Sequence, residues 1–173
     1  FQVCPQDIDE SVLAGEKPYD YVQRVALEKA QAALAAHPDG LVLAADTSVI
    51  VDDKILGKPQ DSADAALMLA LLSNRKHTVL TAITLVDSLR QRSSVVRTTV
   101  NFRAISAREM QRYWETGEPV GKAGAYAIQG FGSAFVESIE GSFSNVVGLP
   151  LFETAQYLEE FNVAIWQQGL ADL

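Results

Sequence analysis

The stretch 42-VLAADTSVIVDDKILGKP-59 decides how the chain is read. An apolar run from Val42 to Val51 carries Asp46, Thr47 and Ser48 in its middle. A two-aspartate turn then leads to a second run ending in Gly57-Lys58-Pro59. An ionised carboxylate taken out of water without a partner is costly, so Asp46 either faces a cleft or meets a positive charge. In a strand it lies on the opposite face from Ala45 and Thr47. Taken alone, the segment fits two readings equally well. One is a strand aspartate facing solvent or neutralised by a core lysine. The other is a metal ligand or general base strengthened by a dry site. Gly57 permits close backbone approach and Pro59 fixes the chain after Lys58. That setting suits a phosphate oxygen, although an ordinary turn lysine looks the same.

Outward from this segment, the rest of the chain reads as one domain of mixed elements. Asp20-x-x-Gln23 has the form of a capping box and opens an alanine-rich helix to about Ala36, stopped by His37-Pro38-Asp39-Gly40. Leu41–Val51 is a strand, Asp52-Asp53 a turn, and Lys54–Leu56 a short strand. Asp61 or Ser62 caps a second helix over 62–73. The runs 77-HTVLTAITLVDS-88 and 93-SSVVRTTVNFRAI-105 alternate and form an antiparallel pair. Ser106-x-x-Glu109 opens a helix to about Glu115, 117–132 is glycine-rich and irregular, and 134–141 is a strand. Pro150 suits the first turn of a last helix over about 150–161. Strands and helices intersperse without a strict βαβ rhythm, which predicts an α/β or α+β domain with a mixed sheet.

Composition narrows the function. The 173 residues are 48% hydrophobic and 21% charged, enough for a core and too apolar for a disordered chain. A net charge of -8 argues against general nucleic-acid binding, which needs a basic face, but leaves room for one small anion held by local cations. Cys4 is the single cysteine, so no internal disulfide forms, in keeping with a reducing cytoplasm. No apolar stretch reaches the roughly 20 residues a membrane helix needs. Only six lysines exist, at 17, 29, 54, 58, 76 and 122, so any anion site draws on few cations. Lys29, in the helix, reads first as part of a solvated face. Glu10, in 7-DIDES-11, reads as a surface acid or as a second carboxylate for Mg²⁺ or Mn²⁺ shared with phosphates. Gln129, in 122-KAGAYAIQGFGSAF-135, both donates and accepts. It either reads the N3–O4 edge of uracil or thymine or caps loop backbone. His37 and His77 look structural, and neither a P-loop, a Rossmann fingerprint, a Ser/His/Asp set nor a zinc site is present.

Taken in order, Glu10 in DIDES, Lys29 in LEKA, 45-ADTSVIVDDKILGKP-59, 122-KAGAYAIQGFGSAFVESIEGS-142 and 145-NVVGLPL-151 resemble the Maf family of nucleoside triphosphate pyrophosphatases over nearly the whole chain. The IQG form resembles the subgroup acting on dTTP and UTP. The resemblance implies an elongated α/β structure, a mixed sheet flanked by helices with a central cleft between two lobes, similar to inosine triphosphate pyrophosphatases. It also implies a single domain over 1–173, a homodimer and a cytoplasmic location. The family's opening strand and Ser-x-Ser-Pro-Arg-Arg loop have no counterpart in these residues and are expected ahead of Phe1.

Residue by residue, the resemblance implies Asp46 as catalytic base and, with Glu10, metal ligand. Lys29 and Lys58 would be phosphate-pocket residues, and Thr47 and Gln129 positions linked to base preference. The expected reaction is metal-assisted hydrolysis of dTTP or UTP, with CTP or modified pyrimidine nucleotides as further substrates, to the monophosphate and pyrophosphate. The alternative is a nucleotide-binding regulator of cell division and septum formation without turnover.

Overall fold

A computed structural model describes residues 1–166; the last seven residues of the domain expected over 1–173 lie outside the described residues. Helix α1 spans Pro18–Ala36, and strands β1 and β2 span Val42–Val51 and Lys54–Leu56. Helix α2 follows at Ser62–Leu72, then the long hairpin β3 Lys76–Val86 and β4 Gln91–Phe102. Helix α3 is Ala107–Glu115, β5 is Val136–Glu140, and α4 and α5 are Phe143–Val147 and Leu151–Glu160.

The strands form one sheet in the order β2-β1-β3-β4-β5. The α/β fold, with its helix-flanked sheet, is the one expected. All its pairs among the described residues are antiparallel, where a mixed sheet was expected. For the β1–β2 and β3–β4 pairs the reason is local. Asp52 and Asp53 both adopt positive φ, 50° and 59°, as a two-residue hairpin turn of the primed type demands. Asp87 closes the β3–β4 turn by accepting from the amides of Leu89 and Arg90 at 2.8 and 2.9 Å. Tight hairpins can only join antiparallel neighbours.

Helix α1 begins two residues earlier than the Asp20 signal indicates. Pro18, with its φ already helical, takes the first position, and Lys17 at the N-cap makes no side-chain capping bond. The Ser106 capping box forms as expected, with Glu109 bonding back. Helix α4 was not expected; Ser142 caps it by accepting from the Asn145 amide.

Two apolar clusters lie on the two faces of the sheet. On one face, Tyr21, Val22, Val25 and Ala26 of α1 pack on Ile50, Leu80 and Ala82. Burying each of the valines contributes about 1.5–3 kcal/mol. On the other face, Val49, Val51, Val79, Val100 and Phe102 meet α2, α3 and the segment Ala125–Ile128.

Candidate active site

The site forms where β1 loses its outer neighbour. Strand β2 pairs only with Val49–Val51, so Val42–Ser48 has no strand on that side among the described residues. Along this free edge the side chains alternate. Asp46 lies opposite Ala82, on the α1 face, and Thr47 lies opposite Thr81, on the other. A cavity of about 270 Å³ takes in both, together with Lys29, Lys58, Lys122, Tyr126, Gln129, Val146 and Val147.

On the α1 face the charges meet. Lys29 Nζ donates to Asp46 Oδ1 at 2.8 Å and lies 2.7 Å from Glu10 Oε1. Lys58 Nζ is 3.9 Å from the other Glu10 oxygen, at the mouth, with 64% of its side chain exposed. Lys29 is not on a solvated face. It continues the inward stripe of Val22, Val25 and Val25's neighbour Ala26, at helical spacing of three and four, and its side chain is 21% exposed. That spacing was the signal available to place it inward. Glu10 does not line the cavity itself and joins it through the two lysines. Its backbone is held by α1, because Tyr21 Oη donates to the Glu10 carbonyl at 2.9 Å.

The two carboxylates sit in different environments. Burial pushes the Asp46 carboxyl above its usual range, against the pull of Lys29. A hydrogen bond from Lys29 holds Glu10 below its usual range. Burial opposes the charge on Lys29, but its bonds to Asp46 and Glu10 outweigh that, and its pKa is raised. Burial thus makes Asp46 less acidic than a free aspartate while Lys29 holds Glu10 in its charged form, an arrangement that suits a proton acceptor beside an electrostatic partner.

Two carboxylates that share one ammonium are also placed to share a divalent ion. No group of three or more His, Cys, Asp and Glu among the described residues could form a protein cage for one. The donor set therefore fits Mg²⁺ or Mn²⁺ whose other ligands come from phosphate and water.

The opposite end of the cavity is built by the segment after α3. Gln129 stands exposed at the rim, on a loop anchored at both sides. Glu118 accepts from the Phe131 and Gly132 amides at 2.8 and 2.9 Å and from Tyr113 Oη at 2.7 Å. Tyr113 Oη in turn accepts from the Ala127 amide at 3.1 Å. A Cβ on Gly130 would come within 2.1 Å of Glu118, so only glycine lets the clasp close. Lys122 and Tyr126 also line the cavity; the sequence reading quoted their motif without placing either in the site. For Lys122, scarcity of lysine together with a neighbouring glycine motif was the available signal. His77 is buried, as its structural reading required, and bonds Tyr126 Oη through Nε2 at 2.8 Å.

An α/β fold whose cleft gathers Lys29, Lys58, Lys122 and Asp46, with an exposed amide at its rim and apolar side chains in its wall, fits a small polyanion with an aromatic or polar headpiece. The family model for Maf-like protein matches residues 1–161, and the chain belongs to the Maf family. The chain is 51% identical over 162 residues to a dTTP/UTP pyrophosphatase of Vibrio parahaemolyticus, covering 93% of this chain and 86% of the relative. It is 48% identical over 169 residues to one of Hahella chejuensis, 96% and 84% of the two chains. It is 52% identical over 156 residues to one of Cupriavidus pinatubonensis, 87% and 78%.

Proposed function

We propose that this protein is a nucleoside triphosphate pyrophosphatase that hydrolyses dTTP and UTP to the monophosphate and pyrophosphate. One observation supports it above the others. Lys29 joins Glu10 and Asp46 at the wall of a cavity that also takes in Lys58, Thr47 and Gln129. The names carried by relatives at about half identity support the same substrates.

On this reading Asp46 orients a water and takes its proton as the oxygen attacks the α-phosphorus. The bond from that phosphorus to the bridging oxygen of the β-phosphate breaks, and pyrophosphate leaves. Lys29 and Lys58 offset the charge that gathers on the phosphate oxygens. A divalent ion held by Asp46 and Glu10 supplies Lewis-acid polarisation of those oxygens when bound. Thr47 and Gln129 face the base. The protein works in the cytoplasm as a homodimer. Its net charge of -8 disfavours nucleic acid as a partner, and no helix among the described residues is long and apolar enough to cross a membrane.

A panel of nucleoside triphosphates with Mg²⁺ or Mn²⁺, assayed for pyrophosphate, tests the proposal. Release is expected with dTTP and UTP well above the purine nucleotides. Tight nucleotide binding with no pyrophosphate from any member of the panel would replace the enzyme with a regulatory binding protein.

A further inference from the structure

The hydroxyl of Thr47 is one end of a relay whose polarity the structure fixes. Thr47 Oγ1 lies 2.9 Å from Thr81 Oγ1, its direct partner across β1 and β3. Thr81 Oγ1 lies 2.8 Å from the backbone carbonyl oxygen of Asn145 in α4. Two oxygens at that separation need a proton between them, and a carbonyl has none to give. The single proton of Thr81 is therefore committed to Asn145. Thr47 must supply the proton in its own contact with Thr81, since Thr81 has no second one.

The far end of the relay is rigid. Asn145 and Thr81 are both fully buried. The Asn145 side-chain amide donates to the Val79 carbonyl at 3.3 Å and to Thr98 Oγ1 at 3.0 Å, and its backbone amide donates to Ser142 Oγ at 3.2 Å. The carbonyl that starts the relay cannot swing away without breaking these.

We infer that Thr47 presents a lone pair to the cleft, never its proton, and that Thr81 is the positioning residue that makes it so. This rests on the proposed pyrimidine nucleotide reading. Lys29 and Lys58, beside the carboxylates, draw the phosphates, and the Thr47 face, where Tyr126, Val146 and Val147 stand with Lys122, takes the base. With the ring seated so that N3 meets Thr47, an acceptor there selects a base that carries an N–H at that position. Uracil and thymine have one at N3. Cytosine has a bare nitrogen at that position, which meets the Thr47 oxygen as acceptor against acceptor. Discrimination against cytosine is then built into β3 and α4, beneath the cavity wall, by groups that touch no substrate.

The test compares kcat/KM for UTP and CTP in the wild type, Thr81→Val and Thr81→Ser. Valine keeps the shape of threonine and removes the relay, so the Thr47 proton is free to turn outward. The UTP-to-CTP ratio is expected to fall about tenfold, the scale of one hydrogen bond, and serine is expected to restore it. A folded Thr81→Val with the wild-type ratio would overturn the inference, as would Thr81→Ser showing the same loss as valine. A second measurement needs no variant. Wild-type protein is titrated with uridine triphosphate and its N3-methylated analogue, and the analogue, lacking the N–H, is expected to bind about tenfold more weakly. Equal binding would overturn the inference even if UTP is hydrolysed. Absence of hydrolysis together with a preserved preference for the N–H would instead remove the enzymatic reading and leave the relay standing.

Discussion

Asp46 is the residue to which the proposed chemistry assigns the base, and its surroundings support that reading. It is nine-tenths buried as a side chain, bonded to one lysine, and less acidic than an ordinary aspartate because burial outweighs that lysine. Asp46→Asn keeps the size and removes the charge. It is expected to lower kcat for pyrophosphate release by about 10²–10⁴-fold, the scale of a lost general base, with the circular dichroism spectrum unchanged. Turnover near the wild-type rate would rule Asp46 out as base. A base with a raised pKa also loses its charge at higher pH than a free aspartate. The acid limb of kcat/KM is therefore expected above the ordinary aspartate value of about 3.9, and an acid limb at or below that value would show that another group carries the step. Lys29 teaches the complementary lesson. Its residue type suggested solvent, and only its phase within the buried stripe of α1 placed it against Asp46.

At the scale of elements, the segment 121–129 reaches β1 by an approach that glycine alone permits. Gly124 adopts φ +66°, and a Cβ there would meet Val49 Cγ1 at 2.9 Å. The Gly124 amide also donates to the Gly57 carbonyl at 3.0 Å, tying the loop to the turn that carries Lys58. Gly124→Ala is expected to destabilise the protein by about 1–3 kcal/mol through overpacking alone, read as a lower urea midpoint. It is also expected to raise KM, since both Lys58 and Gln129 depend on that contact. An unchanged midpoint would mean that β1 yields without cost. Much of the element plan was legible beforehand. The alternation of 77–88 and 93–105 announced β3 and β4, and the Ser106-x-x-Glu109 box announced α3. The antiparallel course of β1 against β3 was not, because the chain passes through β2 and α2 between them and nothing local states which way the return strand runs. Helix α4 was hidden by its brevity; five residues carry too little periodicity to stand out from a loop. The Glu118 clasp was invisible for another reason, since its partners are backbone amides, and a sequence does not show where those point.

For the whole molecule, the buried His77 sets a limit on acid tolerance. Burial holds its imidazole down at about 4, against an ordinary 6.5. Its Nδ1 has no hydrogen-bond partner among the described residues, so a proton gained there is unrelieved. The unfolded chain takes up that proton first. Stability from neutral His77 is thus complete above about pH 6.5 and declines as pH falls to about 4, by on the order of 3 kcal/mol. Thermal midpoints of the wild type are expected to drop across this window, and His77→Gln is expected to fall less steeply. Parallel profiles would place the acid sensitivity elsewhere. At this scale the sequence also conveyed the family, the helix-flanked sheet and the residues gathered at the cleft, because those are written in contiguous motifs. What it withheld was depth: which of the gathered groups are buried, and which oxygen holds which proton. The alternation along β1 carries one more consequence. Because neighbouring residues project to opposite sides, sliding β1 by a single step against β3 would turn Thr47 toward Lys29 and aim Asp46 at α4. On the proposed reading, hydrolysis and base choice would be lost in the same stroke. The ladder of main-chain bonds between these two strands is therefore a safeguard on the reaction itself, and an insertion or deletion anywhere between Val42 and Asp46 would be as damaging as removing the aspartate.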